Sequence, residues 1–299
     1  MAKQSPKIAI IILNWNGFSD TVRCVESLFK SNYPNGCYSI HVVDNGSKED
    51  EAKKLKEHFD SSITIFKSES NRGYCGGNNF AIENLALSDH DFVLVLNNDT
   101  IVADDCLDKL VEYAAQKKCD LVGATIVDME DKNKVQSRGI SYNQWTGTSF
   151  SFDKNVKVDQ SSKKEINSFS GACFLIKTSL IRKLGQLFDE SFFCYFEETD
   201  LRLRVQRLGS RIATAPDALV YHKEHGSQVS SDFSQYQMAR NRFLVERNNV
   251  AVIPKIFFLI FSLLIYFPLR VLGFWIAQKN SKHFVSGFAA GLKVFFGKK

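Results

Sequence analysis

Six consecutive apolar residues, Ile8 to Leu13, open the patterned part of the chain, and four of them are isoleucine. A run without alternation predicts a strand covered on both faces, as in a parallel sheet. Residues 19–30 then place Val22, Val25, Leu28 and Phe29 on one helical face. Strands are predicted at 39–43, 63–66 and 92–96, separated by a polar helix at 48–59 and a helix at 80–87 behind a Gly-rich loop. This βαβα rhythm predicts a doubly wound, mostly parallel α/β sheet.

Ligands of such sheets bind outside the carboxyl ends of the strands. Three polar clusters follow strands directly: Asn14-Trp15-Asn16-Gly17, Asp44-Asn45-Gly46-Ser47 and Asn97-Asn98-Asp99. Three strand ends therefore converge on one crevice.

The second half is less regular. Residues 129–165 are polar and predict an excursion of loops and short strands. Residues 169–176 read as strand again, and 197–208 as a helix with Leu201, Val205 and Leu208 buried. Another helix is expected at 232–249. Residues 256–277 then form an apolar stretch of 22 residues, interrupted at Pro268 and Arg270. That is near the ~20 residues needed to cross a bilayer. Phe284, Phe288, Leu292 and Phe295 recur at helical spacing with Lys293, Lys298 and Lys299 nearby, an interfacial amphipathic pattern. The competing reading is a helical hairpin packed on the domain. The expected organisation is residues 1–250 as one α/β domain and 251–299 as a membrane-associating region.

The chain has 299 residues, enough for one large domain with an appendage. Its net charge of +5 is concentrated toward the C-terminus and is too small for a nucleic-acid footprint. Seven cysteines are scattered without a C-x-x-C pair, which disfavours a zinc site or a disulfide framework and suits reduced thiols. Residues 7–15 are too short for a signal peptide and read as a strand.

Several residues carry candidate chemistry, each with a plainer alternative. Asp99 is either a cap on the following turn or a ligand for the magnesium or manganese of a bound diphosphate. Asp44 is either an Asx-turn former or an acceptor for a ligand's base or ribose. The segment from Asn71 through Gly73, Gly76 and Gly77 to Asn79 lets backbone approach an anion, but it matches neither a Walker loop nor a G-x-G-x-x-G fingerprint. Glu197, Glu198 and Asp200 crowd the first turn of one helix. They offset its dipole and pair with Arg202 and Arg204 at i, i+4, or supply a general base. His222 and His225 follow an apolar strand; His222 is a structural hydrogen bonder or, with Asp99, half of a metal site.

The ordered series resembles family 2 glycosyltransferases, close to the bacterial rhamnosyltransferase branch. It comprises Asn14 to Gly17, Val42 to Ser47, Asn71-x-Gly73-x-x-Gly76-Gly77-Asn78, Leu96 to Thr100 and Phe169 to Ala172. It continues with Gly185-x-x-Phe188-Asp189-Glu190, Phe193 to Leu201, Pro216, His222 with Ser227, and Arg240-Asn241, covering roughly residues 7–250.

The resemblance implies a GT-A fold and an inverting transfer from a nucleoside-diphosphate sugar. It implies that Asp44 contacts the base with Asn14 beside it. Asn71, Gly73, Asn97 and Asn98 would line the donor pocket, with Asn97 standing where the family's Asp-x-Asp element has its first acid. It implies that Asp99 and His222 hold Mg2+ or Mn2+. Glu198, where the family usually has Asp, would be the base, with Asp200 as the fallback. The implied acceptor is a glycan or lipid-linked sugar of cell-surface polysaccharide synthesis. The implied location is the cytoplasmic face of the cell membrane, peripheral or single-pass, with no nucleic-acid partner. The Glu198 replacement keeps open a donor-binding protein without turnover. A nucleotidyltransferase is disfavoured, because Asn14-Trp15-Asn16-Gly17 stands where its basic Gly-rich loop would be.

Overall fold

The computed structural model describes residues 5–161, 164–223 and 230–297. His225, Ser227, Lys298 and Lys299 lie outside the described residues. The first half runs β1 (Ile8–Asn14), α1 (Phe18–Leu28), β2 (Tyr38–Asn45), α2 (Glu51–Phe59), β3 (Thr64–Ser68), α3 (Gly73–Asn84) and β4 (Phe92–Asn97). A short β5 (Thr100–Val102), α4 (Cys106–Lys117) and β6 (Leu121–Asp128) follow. The polar excursion contains β7 (Val135–Ser137), β8 (Ile140–Asn143) and β9 (Thr148–Ser151). Then come β10 (Cys173–Lys177), α5 (Thr178–Leu184), α6 (Glu197–Arg207), β11 (Ile212–His222) and α7 (Ser231–Asn249). The C-terminal region holds α8 (Val252–Phe261), α9 (Phe267–Ile276) and α10 (Lys282–Phe295).

The main sheet has the order β3-β2-β1-β4-β10-β6-β11-β5, with β7 pairing the end of β6 beyond β10. Strands β3, β2, β1 and β4 are mutually parallel, as are β6 and β11; β10 runs antiparallel between the two sets. The mostly parallel α/β sheet expected from the rhythm is the one observed. Its unbroken apolar β1 serves two cores. Ile8, Ile10 and Ile12 pack with Cys24, Val25 and Leu28 of α1 and Leu107 and Leu110 of α4. Ala9 and Ile11 pack on the other face with Cys75 and Ala81 of α3, Leu201 and Val205 of α6, and Leu244 of α7. Each fully buried isoleucine contributes roughly 1.5–3 kcal/mol of transfer free energy.

Three expectations change. The helix expected at 80–87 begins at Gly73, so Gly76 and Gly77 lie inside α3 rather than in a loop. A side chain at Gly77 would collide with Leu13, so the glycine seats α3 close to β1. Leu208, expected on the buried face of its helix, is exposed.

The third change concerns the C-terminus. The Phe284, Phe288, Leu292 and Phe295 stripe does not face outward as an interfacial surface. It packs inward on Phe243 of α7, Phe258 of α8 and Phe267 of α9. Gly287 allows this docking, because a Cβ there would overlap the backbone of Tyr236. The competing helical-hairpin reading is therefore the one observed for α10. Most of the apolar residues of this region that face outward lie between Val252 and Ile276. Helices α8 and α9 join through a wider π-type turn, Ser262–Tyr266, so the helix continues past Pro268 despite its missing N–H.

Candidate active site

The carboxyl ends of β1, β2 and β4 surround a cavity of about 760 Å³. Its wall includes Trp15, Asn16, Gly17, Asn45, Asn71, Gly73, Asn97, Asn98, Asp99, Glu198 and His222. The three polar strand ends thus converge as the topology requires.

Asp99 sits in the tight turn between β4 and β5, where Thr100 Oγ1 donates to the Asn97 carbonyl at 2.7 Å. It caps no helix. Strand β11 pairs antiparallel with β5 in a register that sets His222 opposite Thr100, and this brings His222 beside Asp99. The His222 Nε2 to Asp99 Oδ1 distance is 3.2 Å, yet this buried oxygen makes no hydrogen bond. Gln136 explains the arrangement. Its Nε2 donates to the His222 carbonyl at 2.9 Å, which turns its Oε1 toward His222 Nδ1, also at 2.9 Å. Nδ1 therefore carries a proton, and in the neutral ring Nε2 presents a lone pair toward a carboxylate oxygen. Two acceptors facing each other fit a divalent cation better than they fit one another. A side chain that fixes the tautomer of a ligating histidine through its other nitrogen is the usual support of such a site. Among the described residues no cluster of three or more His, Cys, Asp or Glu could hold a metal, so the remaining ligands would come from the diphosphate and water.

The donor side is built differently from expectation. Asn14 is fully buried and spent on the scaffold. Its Nδ2 donates to Glu51 Oε2 at 2.8 Å, and its Oδ1 accepts from Thr21 Oγ1 at 2.7 Å. Asp44 stands opposite it in the register, also buried, accepting from the Ser47 N–H at 3.2 Å in the Asx-turn arrangement. Neither contributes to the cavity wall; both lie directly behind it. Asn45 does line the cavity. Its Nδ2 donates to Asn71 Oδ1 and the Gly73 carbonyl, both at 3.1 Å, and its Oδ1 accepts from the Arg72 N–H at 3.0 Å. Asn71 in turn accepts from the Gly73 N–H at 2.8 Å. Asn98 donates to Thr21 Oγ1 at 3.0 Å and closes the wall beside Gly17.

The carboxylates sort cleanly. Glu198 lines the cavity, with Glu197 beside it. Burial pushes both carboxyls up, and Glu197 goes furthest because Glu198's charge adds to its burial. Asp200, the fallback base, is only 2% exposed and lies outside the cavity wall. Its oxygens accept from Arg204 Nε and Asn249 Nδ2, both at 2.7 Å. That is the helix-pair reading, with Glu198 and not Asp200 facing the cavity.

What aims Glu198 is a strained approach to α6. Phe193, Tyr195 and Phe196 all have positive φ, at 60°, 68° and 71°. Non-glycine residues adopt this region only when their surroundings impose it. Here the Asn241 side-chain amide donates to the carbonyls of Phe192, Cys194 and Tyr195 at 2.9, 2.8 and 2.9 Å. Arg240 adds a bond to the Ser191 carbonyl at 2.9 Å.

The glycosyl transferase family 2 profile matches residues 9–185, more than half of the sequence. The chain belongs to glycosyl transferase family 2. A low-salt glycan biosynthesis hexosyltransferase of Haloferax volcanii is 26% identical over 250 residues, covering 81% of this chain and 76% of that one. An N-acetylglucosaminyl-diphospho-decaprenol L-rhamnosyltransferase of Mycobacterium tuberculosis is 23% identical, covering 71% and 76%. Among solved structures, a mannosyltransferase from Pyrobaculum calidifontis in complex with GDP-Man and Mn2+ superposes with a TM-score of 0.59 at 15% identity, covering 99% and 89%. The fold of this family 2 glycosyltransferase is thus GT-A-like, as the resemblance implied.

Proposed function

We propose that this transferase moves a sugar, with rhamnose as the candidate, from a nucleoside-diphosphate donor to a hydroxyl of a lipid-linked or glycan acceptor, with inversion. The observation that carries the reading is one cavity with the Asp99–His222 pair on one wall and the Glu198 carboxylate on another. Asp99 Oδ1 and His222 Nε2 would hold Mg2+ or Mn2+, which supplies positive charge to the leaving diphosphate.

Glu198 takes the proton of the acceptor hydroxyl. The acceptor oxygen then forms its bond to the anomeric carbon from the side opposite the diphosphate. The bond to the phosphate oxygen breaks with its electron pair, so a single displacement inverts the centre. The donor's nucleotide rests along Trp15, Asn16, Asn45 and Asn71, and Asp44 and Asn14 hold that wall from behind. The Mycobacterium relative's name supports a lipid-linked acceptor and a deoxyhexose. The outward apolar face of α8 and α9 supports a place at the membrane surface, with residues 251–299 as the associating region.

The test is metal-dependent release of nucleoside diphosphate from a panel of nucleotide sugars, with detergent-purified protein and added acceptor. We expect Asp99→Ala to abolish metal-dependent donor use. We expect Glu198→Gln to retain donor binding and lose at least ~10² in transfer rate. Transfer at the normal rate by Glu198→Gln would remove it as the base, and no thermal stabilisation by any nucleotide with metal would remove the reading.

A further inference from the structure

We infer that the C-terminal helices, together with the tip of the β8–β9 hairpin, form a membrane-docking face that lies in the plane of an anionic leaflet and does not cross it. The inference deepens the membrane reading above and rests on it.

The helix from Val252 to Ile276 has 25 residues and a mean hydropathy of 2.2 in its most apolar stretch, of which only 11% is buried. At 1.5 Å per residue it is about 38 Å long, enough to span a bilayer. Its two ends argue otherwise. Helix α7 of the catalytic domain leads straight into it. After its last turn, α10 folds back so that Phe284 and Phe288 stack on Phe267 and Gly287 presses against the α7 backbone at Tyr236. A crossing would carry α10 across a hydrocarbon core of about 30 Å and break every one of these contacts. Both ends therefore stay on one side.

Along α8, the π-type turn and α9, Ile253, Ile256, Ile260, Leu264 and Leu272 face outward, with Leu264 72% exposed. Charge identifies what covers it. Residues 251–299 carry seven Lys and Arg and no Asp or Glu, whereas residues 1–250 have 31 basic and 33 acidic residues, a net −2. An apolar face in a wholly basic segment fits an anionic lipid surface. The aromatic residues agree. Trp275 is 75% exposed at the end of the helix. Trp145, 48% exposed at the tip of the β8–β9 hairpin, meets Phe257 of α8 edge-on at 5.7 Å. Exposed tryptophans next to an apolar face anchor at the headgroup level. The same hairpin begins at Ile140, which lines the active-site cavity, so its two ends link the lipid surface to the acceptor side.

The experiment floats the full chain with vesicles of phosphatidylglycerol and phosphatidylethanolamine, or of phosphatidylcholine alone. We expect at least tenfold weaker binding to phosphatidylcholine, and at least tenfold weaker binding to the anionic vesicles for Leu264→Asp and for Trp145→Ala. Nucleotide binding in detergent is expected to be unchanged in both variants. A C-terminal epitope tag is expected to be removed by protease added outside intact vesicles. Equal flotation of the variants and the parent overturns the inference, as does a tag protected until detergent is added. A failure to float, combined with a dimer that Leu264→Asp dissociates, assigns the face to a second copy and also overturns it. Flotation as expected in a protein that binds no nucleotide sugar overturns the transferase reading and leaves the docking face standing.

Discussion

Gln136 sits in the polar excursion that the hydrophobic pattern left as loops and short strands, yet it decides which nitrogen of His222 faces Asp99. Replacing it with leucine removes the acceptor for Nδ1–H, and the ring is then free to turn. We expect Gln136→Leu to raise the metal concentration needed for half-maximal transfer by ~10–100-fold, measured by titrating Mn2+, with nucleotide binding in the absence of metal unchanged. Glu197 is a second such residue. Burial and the charge of Glu198 push its carboxyl up further than Glu198's own, and its side chain hydrogen-bonds with Glu198, which lowers the cost of Glu198's charge. As the proposed base, Glu198 must be ionised to work, so transfer is expected to rise with pH along an acid limb set by Glu198, above the ordinary carboxylate range. Removing the donor with Glu197→Ala moves that limb to higher pH, whereas Glu197→Gln, which still offers an N–H, leaves it in place. Profiles of kcat against pH that coincide for both variants would refute this pairing.

Among the elements, the segment from Phe192 to Phe196 is where local preference is most clearly overridden. Three bulky residues take left-handed backbone, and one amide from α7 holds three of the segment's carbonyls. Asn241→Ala leaves those carbonyls without their donor at a cost of about 1–3 kcal/mol each if they stay dry. We expect it to lower kcat at least tenfold with a smaller effect on donor binding, because Glu198 loses its aim while the Asn45–Asn71 wall is untouched. An unchanged kcat would show that the strain is held elsewhere. This segment also marks the limit of what the sequence discloses. Strands β1, β2 and β4 and the polar clusters at their ends were legible because burial on both faces forces unbroken apolar runs, and because strand ends in such sheets are where ligands go. Asn241 was visible only as part of a family pattern. Its partners lie 46–49 residues away, and no periodicity encodes that separation. Asn14 and Asp44 show a related limit. Position at a strand end is a property of the sequence, but whether a side chain faces the cavity or the turn behind it depends on neighbours such as Glu51 and Ser47.

Across the whole molecule, the catalytic domain and the C-terminal helices meet around α7, and two buried charged residues lie at that junction. Arg242 donates to the Thr146 carbonyl at 2.5 Å and lies over the ring of Tyr266, with 3.6 Å from Cζ to the centroid. One turn on, Glu246 accepts from the Tyr142 hydroxyl of β8 at 2.6 Å and is completely buried. Burial pushes its carboxyl up to about 7, against the opposing pull of the Tyr142 hydrogen bond, Arg242 and Lys255. In the unfolded chain the same group titrates in the ordinary carboxylate range. Between those two values the native state holds a proton that the unfolded state has released. The stabilisation is thus complete below the unfolded pKa and is lost as pH rises through about 7. Its size is bounded at roughly 3 kcal/mol, following 1.36 kcal/mol per pKa unit. Glu246→Gln keeps an acceptor for Tyr142 and removes the ionisation. We expect its Tm relative to the parent to rise by several degrees between pH 5 and pH 8, at the ~2–4 °C per kcal/mol usual for chains of about this size. A Tm difference independent of pH would mean that Glu246 is already ionised in the folded protein, with its charge met at the junction by Arg242, whose Nε and Nη1 make no other hydrogen bond.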